Sequence, residues 1–215
     1  MDGRRTRMTS LLISFLLVLI LPLLMATWRA SLLGLALQGV LMGSMVLEHG
    51  SAASVSTGFL LADLFFVRGL LVPWIFWRIL GRQTTTARND VIPANLASWL
   101  MVGVLVVIGF RFGRAMSVNH PHSTIGVAVA ASGVLLGFFV LATQNSPFSQ
   151  IVGALRLENA IALFELLPPE HHPPLLIQIG LTLLFPLTLF TLAGFMQRLD
   201  AAALEKPAPP EESSL

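Results

Sequence analysis

Seven apolar stretches, separated by short polar or proline-rich segments, set the pattern of this chain. They cover residues 9–27, 30–48, 57–80, 93–112, 124–143, 147–167 and 174–197. A helix needs about 20 mostly apolar residues to cross a bilayer, and each stretch approaches that length. In lipid every backbone N–H and C=O must be paired internally, so such stretches form helices rather than isolated strands. The separators carry turn-forming residues: Thr27-Trp28-Arg29, the small residues Gly50 to Thr57, the polar Gly81 to Asp90, Ser117 to Ser123, Asn145-Ser146-Pro147 and Pro168 to Pro174. The pattern predicts an all-α, polytopic integral membrane protein with about seven transmembrane helices. Four regions follow: a polar basic N-terminus (1–8), five N-terminal helices (9–143), C-terminal helices (144–200), and a tail (201–215) whose Pro- and acid-rich composition suits disorder.

Composition supports this class and removes others. Of 215 residues 55% are hydrophobic and 11% charged, against about 25% charged in soluble domains. The basic excess is small, 13 Lys+Arg against 11 Asp+Glu, and no basic patch interleaved with aromatics suggests nucleic-acid binding. With no Cys, disulfides and thiolate-bound metal or iron–sulfur centres are excluded. Arg4, Arg5 and Arg7 ahead of the first apolar run imitate a signal peptide, but Met25 to Arg29 makes a poor cleavage site. Loop charges do not fix orientation. The N-terminal arginines with Arg111 and Arg114 favour an inside N-terminus, Arg78, Arg82 and Arg88 favour the reverse, and a start at Met8 would remove three arginines.

The sixth stretch is the least apolar. It holds Arg156, Glu158 and Glu165, with Glu158 near its middle. An ionised carboxylate at that depth costs roughly 3 kcal/mol on insertion scales and faces protein or water rather than lipid. Glu158 and Glu165 are seven residues apart, within about 20° on one α-helical face. They could form half of a proton path to one surface; alternatively, Glu158 is a structural group and Glu165 an interfacial one. Arg156 points elsewhere and would meet another helix or an adjacent subunit.

The third stretch carries Asp63, Arg68 and Pro73. Five residues rotate an α-helix by about 140°, so a direct Asp63–Arg68 pair within it has poor geometry. Arg68 does not deprotonate. Its role would be electrostatic, holding a carboxylate ionised or shifting its titration, or structural, paired with Asp63, Glu48 or Glu158. Pro73 would loosen the helix and free a carbonyl. Glu48-His49 suits an interfacial position. His171-His172 with Glu170, and His120 with His122, have poor chelate geometry, so no metal site is expected. Gly39/Gly43, Gly109/Gly113 and Gly133/Gly137 permit close helix approach. Trp28, Trp74, Trp77 and Trp99 stand near helix ends, as in an aromatic belt.

Gln150-x-x-Gly153 followed by Glu158-Asn159 resembles the pattern Q-x-x-G-x-x-x-x-E-N-G of component E of hydrogenase-4. Gln144-Asn145 and Gly69-Leu70-Leu71-Val72-Pro73 fit the same family, as do length and helix count. The family's C-terminal three helices resemble the K-type subunit of respiratory complex I, where a mid-membrane Glu at the place of Glu158 belongs to the polar chain crossing the membrane arm. The resemblance implies a subunit without cofactor or active site of its own in a bacterial plasma (inner) membrane. It would sit beside antiporter-like subunits and indirectly serve a [NiFe] hydrogenase-like redox module. Glu158, Arg68, Glu165 and Asp63 would form the proton pathway, and Gln150, Gly153, Asn159 and Pro73 its structural motif. This chain departs from the family at Arg68, where Lys is usual and could release a proton, at Ala160 in place of Gly, and in the last apolar stretch, which has Pro186 and no acidic residue from 177 to 197. Two rivals stand beside the relay: a purely structural membrane scaffold and a stand-alone small transporter.

Overall fold

The computed structural model describes residues 2–24, 28–49, 55–80, 96–117, 124–143 and 147–167, with isolated positions between 179 and 198. Among the described residues the only regular structure is helical. Helix α1 is Asp2–Leu24 and α2 is Trp28–His49. Next comes one continuous rod over 55–80, built of α3 (Val55–Ala62), a π-helical segment (Asp63–Leu71) and α4 (Val72–Leu80). It is followed by α5 (Leu96–Met116), α6 (Thr124–Thr143) and α7 (Pro147–Leu166). Among the described residues, four helices are long and apolar enough to cross a membrane, over Arg29–Glu48, Thr57–Arg78, Ala97–Met116 and Thr124–Thr143. Helix α1 carries Arg4, Arg5 and Arg7 in its first turns, and α7 carries Arg156, Glu158 and Glu165. The stretch expected at 174–197 falls outside the described residues except for isolated positions, all helical.

Two helices outrun their apolar stretches. Helix α1 begins at Asp2, because arginine is a good helix former and the hydroxyls of Thr9 and Ser10 donate to the carbonyls of Arg5 and Thr6 at 3.1 and 3.0 Å. Helix α5 continues past Arg111 and Arg114 to Met116. Hydropathy marks where lipid-compatible side chains stop, not where backbone hydrogen bonding stops.

Glycine contacts fix the antiparallel packing. Gly113 and Gly109 of α5 lie against Ala128 and Ser132 of α6, and Gly133 and Gly137 of α6 against Ala160 and Leu157 of α7. Gly39 and Gly43 of α2 meet Gly69 and Phe65 of the π segment. All three GxxxG pairs therefore line helix contacts. The starts of α1 and α6 lie at one end of the bundle with the ends of α2, α5 and α7; Arg7 reaches Glu48 there at 3.5 Å. Two apolar clusters fill the interior. One joins Leu12, Phe15 and Leu19 of α1 to Met42, Leu64, Leu136 and Leu163. The other joins Leu32, Leu35, Val72, Phe76, Ile151 and Leu155 nearer the opposite end.

Candidate functional site: a polar junction of three helices

Between the two apolar clusters, three helices each turn a polar residue inward. On α2 it is Gln38, between Leu35 and Met42; on the π segment Arg68, between Leu64 and Val72; on α7 Asn159, between Leu155 and Leu163. Gln38 and Asn159 are buried, and Arg68 is 8% exposed. Polar groups sealed between apolar layers must bond one another, because an unmade bond there costs the full desolvation of the group.

They are bonded in series. Arg68 Nε donates to Asp63 Oδ2 at 3.1 Å, and Arg68 Nη1 donates to Asn159 Oδ1 at 2.9 Å. The Asn159 amide then donates to Gln38 Oε1 at 3.1 Å. One cation is thus held by one carboxylate and one amide, and the chain of bonds crosses from the third rod through α7 to α2. Charge-assisted bonds are the stronger kind, and a low-dielectric surrounding strengthens them further.

The Asp63–Arg68 pair overturns the expectation of poor geometry. That expectation assumed α-helical rotation. From Asp63 to Leu71 the helix is π, and at its end the Val72 amide bonds Val67 O, five residues back. An i→i+5 ladder sets residues five apart above one another, so Asp63 and Arg68 share a face. The widened turn and the ion pair support each other. Glycine permits the close approach of α2 here: a Cβ on Gly39 would lie 2.6 Å from Gly69 N and 2.7 Å from Leu64 O. Pro73 follows two residues after the π segment and offers no N–H to the carbonyls behind it.

Glu158 adjoins Asn159 in sequence and is half-buried; its Oε2 is fully buried and has no hydrogen-bond partner among the described residues. Gln38 Nε2 and Asp63 Oδ1 share that condition. Glu165 is exposed, near the end of α7. Arg156 is 3% exposed, enclosed by this chain rather than turned outward.

The structure therefore brings Arg68, Asp63 and Asn159 together, sets Glu158 next to Asn159 along α7, and leaves Glu165 exposed near the end of that helix. Gln150 is exposed towards the start of α7, and Gly153 packs on Val140 and Leu141 of α6. Glu48 pairs with Arg7. His120, His122, Glu170, His171 and His172 lie outside the described residues, and among the described ones no His, Cys, Asp and Glu group is arranged to hold a metal. Gln38 escaped sequence reasoning; an amide in the middle of an apolar span was the available signal.

The chain is similar to Uncharacterized protein Rv0085 of Mycobacterium tuberculosis, 29% identical over 175 residues, which cover 77% of this chain and 78% of that protein. No protein-family model and no solved structure matches it.

Proposed function

We propose that this chain is a seven-span, multi-pass subunit of a bacterial plasma membrane, without cofactor or active site. Its parent is a hydrogenase-4 or complex I-like oxidoreductase, and its last three helices are of the complex I K type. It lies against antiporter-like and other membrane-arm subunits and serves the redox module through them. Within it, Glu158 is the protonatable group, Arg68 the fixed cation beside it, and Asp63 the counter-ion that anchors Arg68. Glu165 is the outlet at the end of α7.

The observation that carries this reading is a buried Arg68 in mid-span, bonded to Asn159 next to a half-buried carboxylate. Ionisable groups at such depth mark ion pathways more often than packing. The parent complex rests on the Gln150, Gly153 and Glu158-Asn159 resemblance. One observation favours the scaffold reading: Arg68 is already closed on Asp63, Asn159 and through it Gln38, which suits a fixed structural clasp.

The test is isolation of the tagged chain from its native host in mild detergent, with mass spectrometry of its companions and assay of Ni and Fe. Antiporter-like subunits together with a [NiFe] module are the expected companions. Antiporter-like subunits with another redox module would remove the hydrogenase label alone. A chain that runs by itself, under conditions that keep other complexes whole, would end the subunit reading.

A further inference from the structure

Helix α7 is enclosed on two sides and open on a third. Gly153, Leu157 and Ala160 meet α6, and Asn159 turns another side to α2 and the π segment. The third side carries Ala154, Ile161 and Glu165, with Glu158 on its flank; Ile161 is 46% exposed, and Glu165 is exposed as well. Ala154, Glu158 and Ala162 follow one another at four-residue spacing, so they form one ridge of the helix. All three are partly exposed. Alanines above and below Glu158 let another helix backbone come close to it, and small residues around a polar one are how helices associate in lipid.

Glu158 has neither a hydrogen bond nor an ion pair among the described residues. The two arginines midway along described helices, Arg68 and Arg156, are both buried, and Arg68 is bonded to Asp63 and Asn159. The stretch 174–197 contains no Lys, Arg or His. Neither these arginines nor that stretch offers a cation to the open side of α7.

We infer that the open side of α7 docks a transmembrane helix of a different polypeptide, and that this helix carries a Lys or Arg at mid-depth which pairs with Glu158. Lipid does not suit the place, because a carboxyl in mid-span faces protein or water. A second copy in the same orientation would set Glu158 against Glu158, and like charges oppose such a contact. A basic side chain supplies the missing counter-charge, and the two alanines leave room for the backbone that bears it. The inference rests on the membrane-spanning part of the proposed function, which it deepens by naming the docking side and the partner's chemistry. It depends neither on the parent complex nor on proton movement.

The test uses the full-length chain in membranes of its native host, with a photoreactive benzophenone amino acid in place of Ile161. A control probe replaces Val107, which is 60% exposed on α5. Irradiation is expected to join the Ile161 probe to one polypeptide. Mass spectrometry of the joined peptide should place it in an apolar segment of about 20 residues that contains a Lys or Arg. Retention of that polypeptide on the tagged chain is then followed through a detergent dilution series. Glu158→Leu should weaken it about tenfold, as the loss of one interhelical polar contact implies, and Ala154→Leu should weaken it by filling the ridge. Glu158→Lys combined with a Glu at the partner's basic position should bind where neither single change does. Full retention by Glu158→Leu, or failure of the exchanged pair to bind, would overturn the pairing. Adducts only with lipid, with a second copy or with residues 174–197, a joined segment without a basic residue, or the same adduct from Val107 would overturn the docking side. A partner of the expected chemistry from a complex with no hydrogenase-like module would remove the proposed parent and support this inference. A chain found outside the membrane fraction would defeat the spanning reading itself.

Discussion

The α5–α6–α7 contacts and the α2–π–α7 junction bring helices equally close by opposite means. In the first, glycines of one helix face small residues of the next: Gly113 meets Ala128, and Gly133 meets Ala160. The contact is held chiefly by van der Waals packing, which suffices for helix association in lipid, and the Ser132 hydroxyl of α6 also donates to Val106 O of α5 at 3.5 Å. In the second, glycine again allows the approach, at Gly39 and Gly69, but the space beside it holds Arg68, Asp63, Asn159 and Gln38. A dry contact would have stabilised that place at less cost, because a buried ion pair repays its desolvation only with good geometry and full hydrogen bonding. A fold that already knows how to pack three helices with glycine does not need a guanidinium to do it. At the junction the helices are joined by a bonded cation as well as by packing.

The largest expected effect comes from breaking the junction. Arg68→Met strands Asp63 in a buried site and should cost about 3–5 kcal/mol. Asp63→Leu/Arg68→Met removes both charges and should recover most of that loss. Unfolding midpoints of the purified variants in one detergent check this; a double variant as unstable as the single would mean that the pair does not organise the junction. A smaller loss is expected at the shared glycine approach. Gly39→Ala drives a methyl against backbone atoms of the π segment, which cannot swing aside as a side chain can, and should cost about 1–3 kcal/mol. The smallest effect has the opposite sign. Gly103 of α5 has nothing within 4 Å of an added Cβ. Gly103→Ala should leave packing intact and raise stability by about 0.5–1 kcal/mol through backbone entropy. If Gly103→Ala destabilised as much as Gly39→Ala, the exposed face of α5 would be a contact surface rather than a free one.

The glycine contacts were legible in the sequence and the polar one only in part. GxxxG spacing puts two glycines on one helical face, and although chance would also produce such pairs in a chain with 17 Gly, all three line helix contacts. Asp63, Arg68 and Asn159 were visible as polar residues in apolar stretches. How they join was not, because rotation by about 100° per residue holds only for an α-helix. Nothing in Asp63 to Leu71 signals a π ladder except its product, an acid and a base five apart. Gln38 was hidden for another reason: a neutral amide barely dents the hydropathy of a long apolar run. The boundaries of α1 and α5 were misjudged because arginine is helix-forming and polar at once.

The most direct measurement compares wild type with Glu158→Gln in the complex proposed for this chain, following proton movement into vesicles and electron transfer together. Gln keeps the size of the side chain and removes its ability to ionise. With Glu158 as the relay, proton movement per electron falls steeply, by tenfold or more as an order of magnitude for losing a proton-transfer group, while electron transfer and subunit content stay as in wild type. Undiminished proton movement in a fully assembled Glu158→Gln complex would contradict the relay and leave the polar junction as a structural clasp.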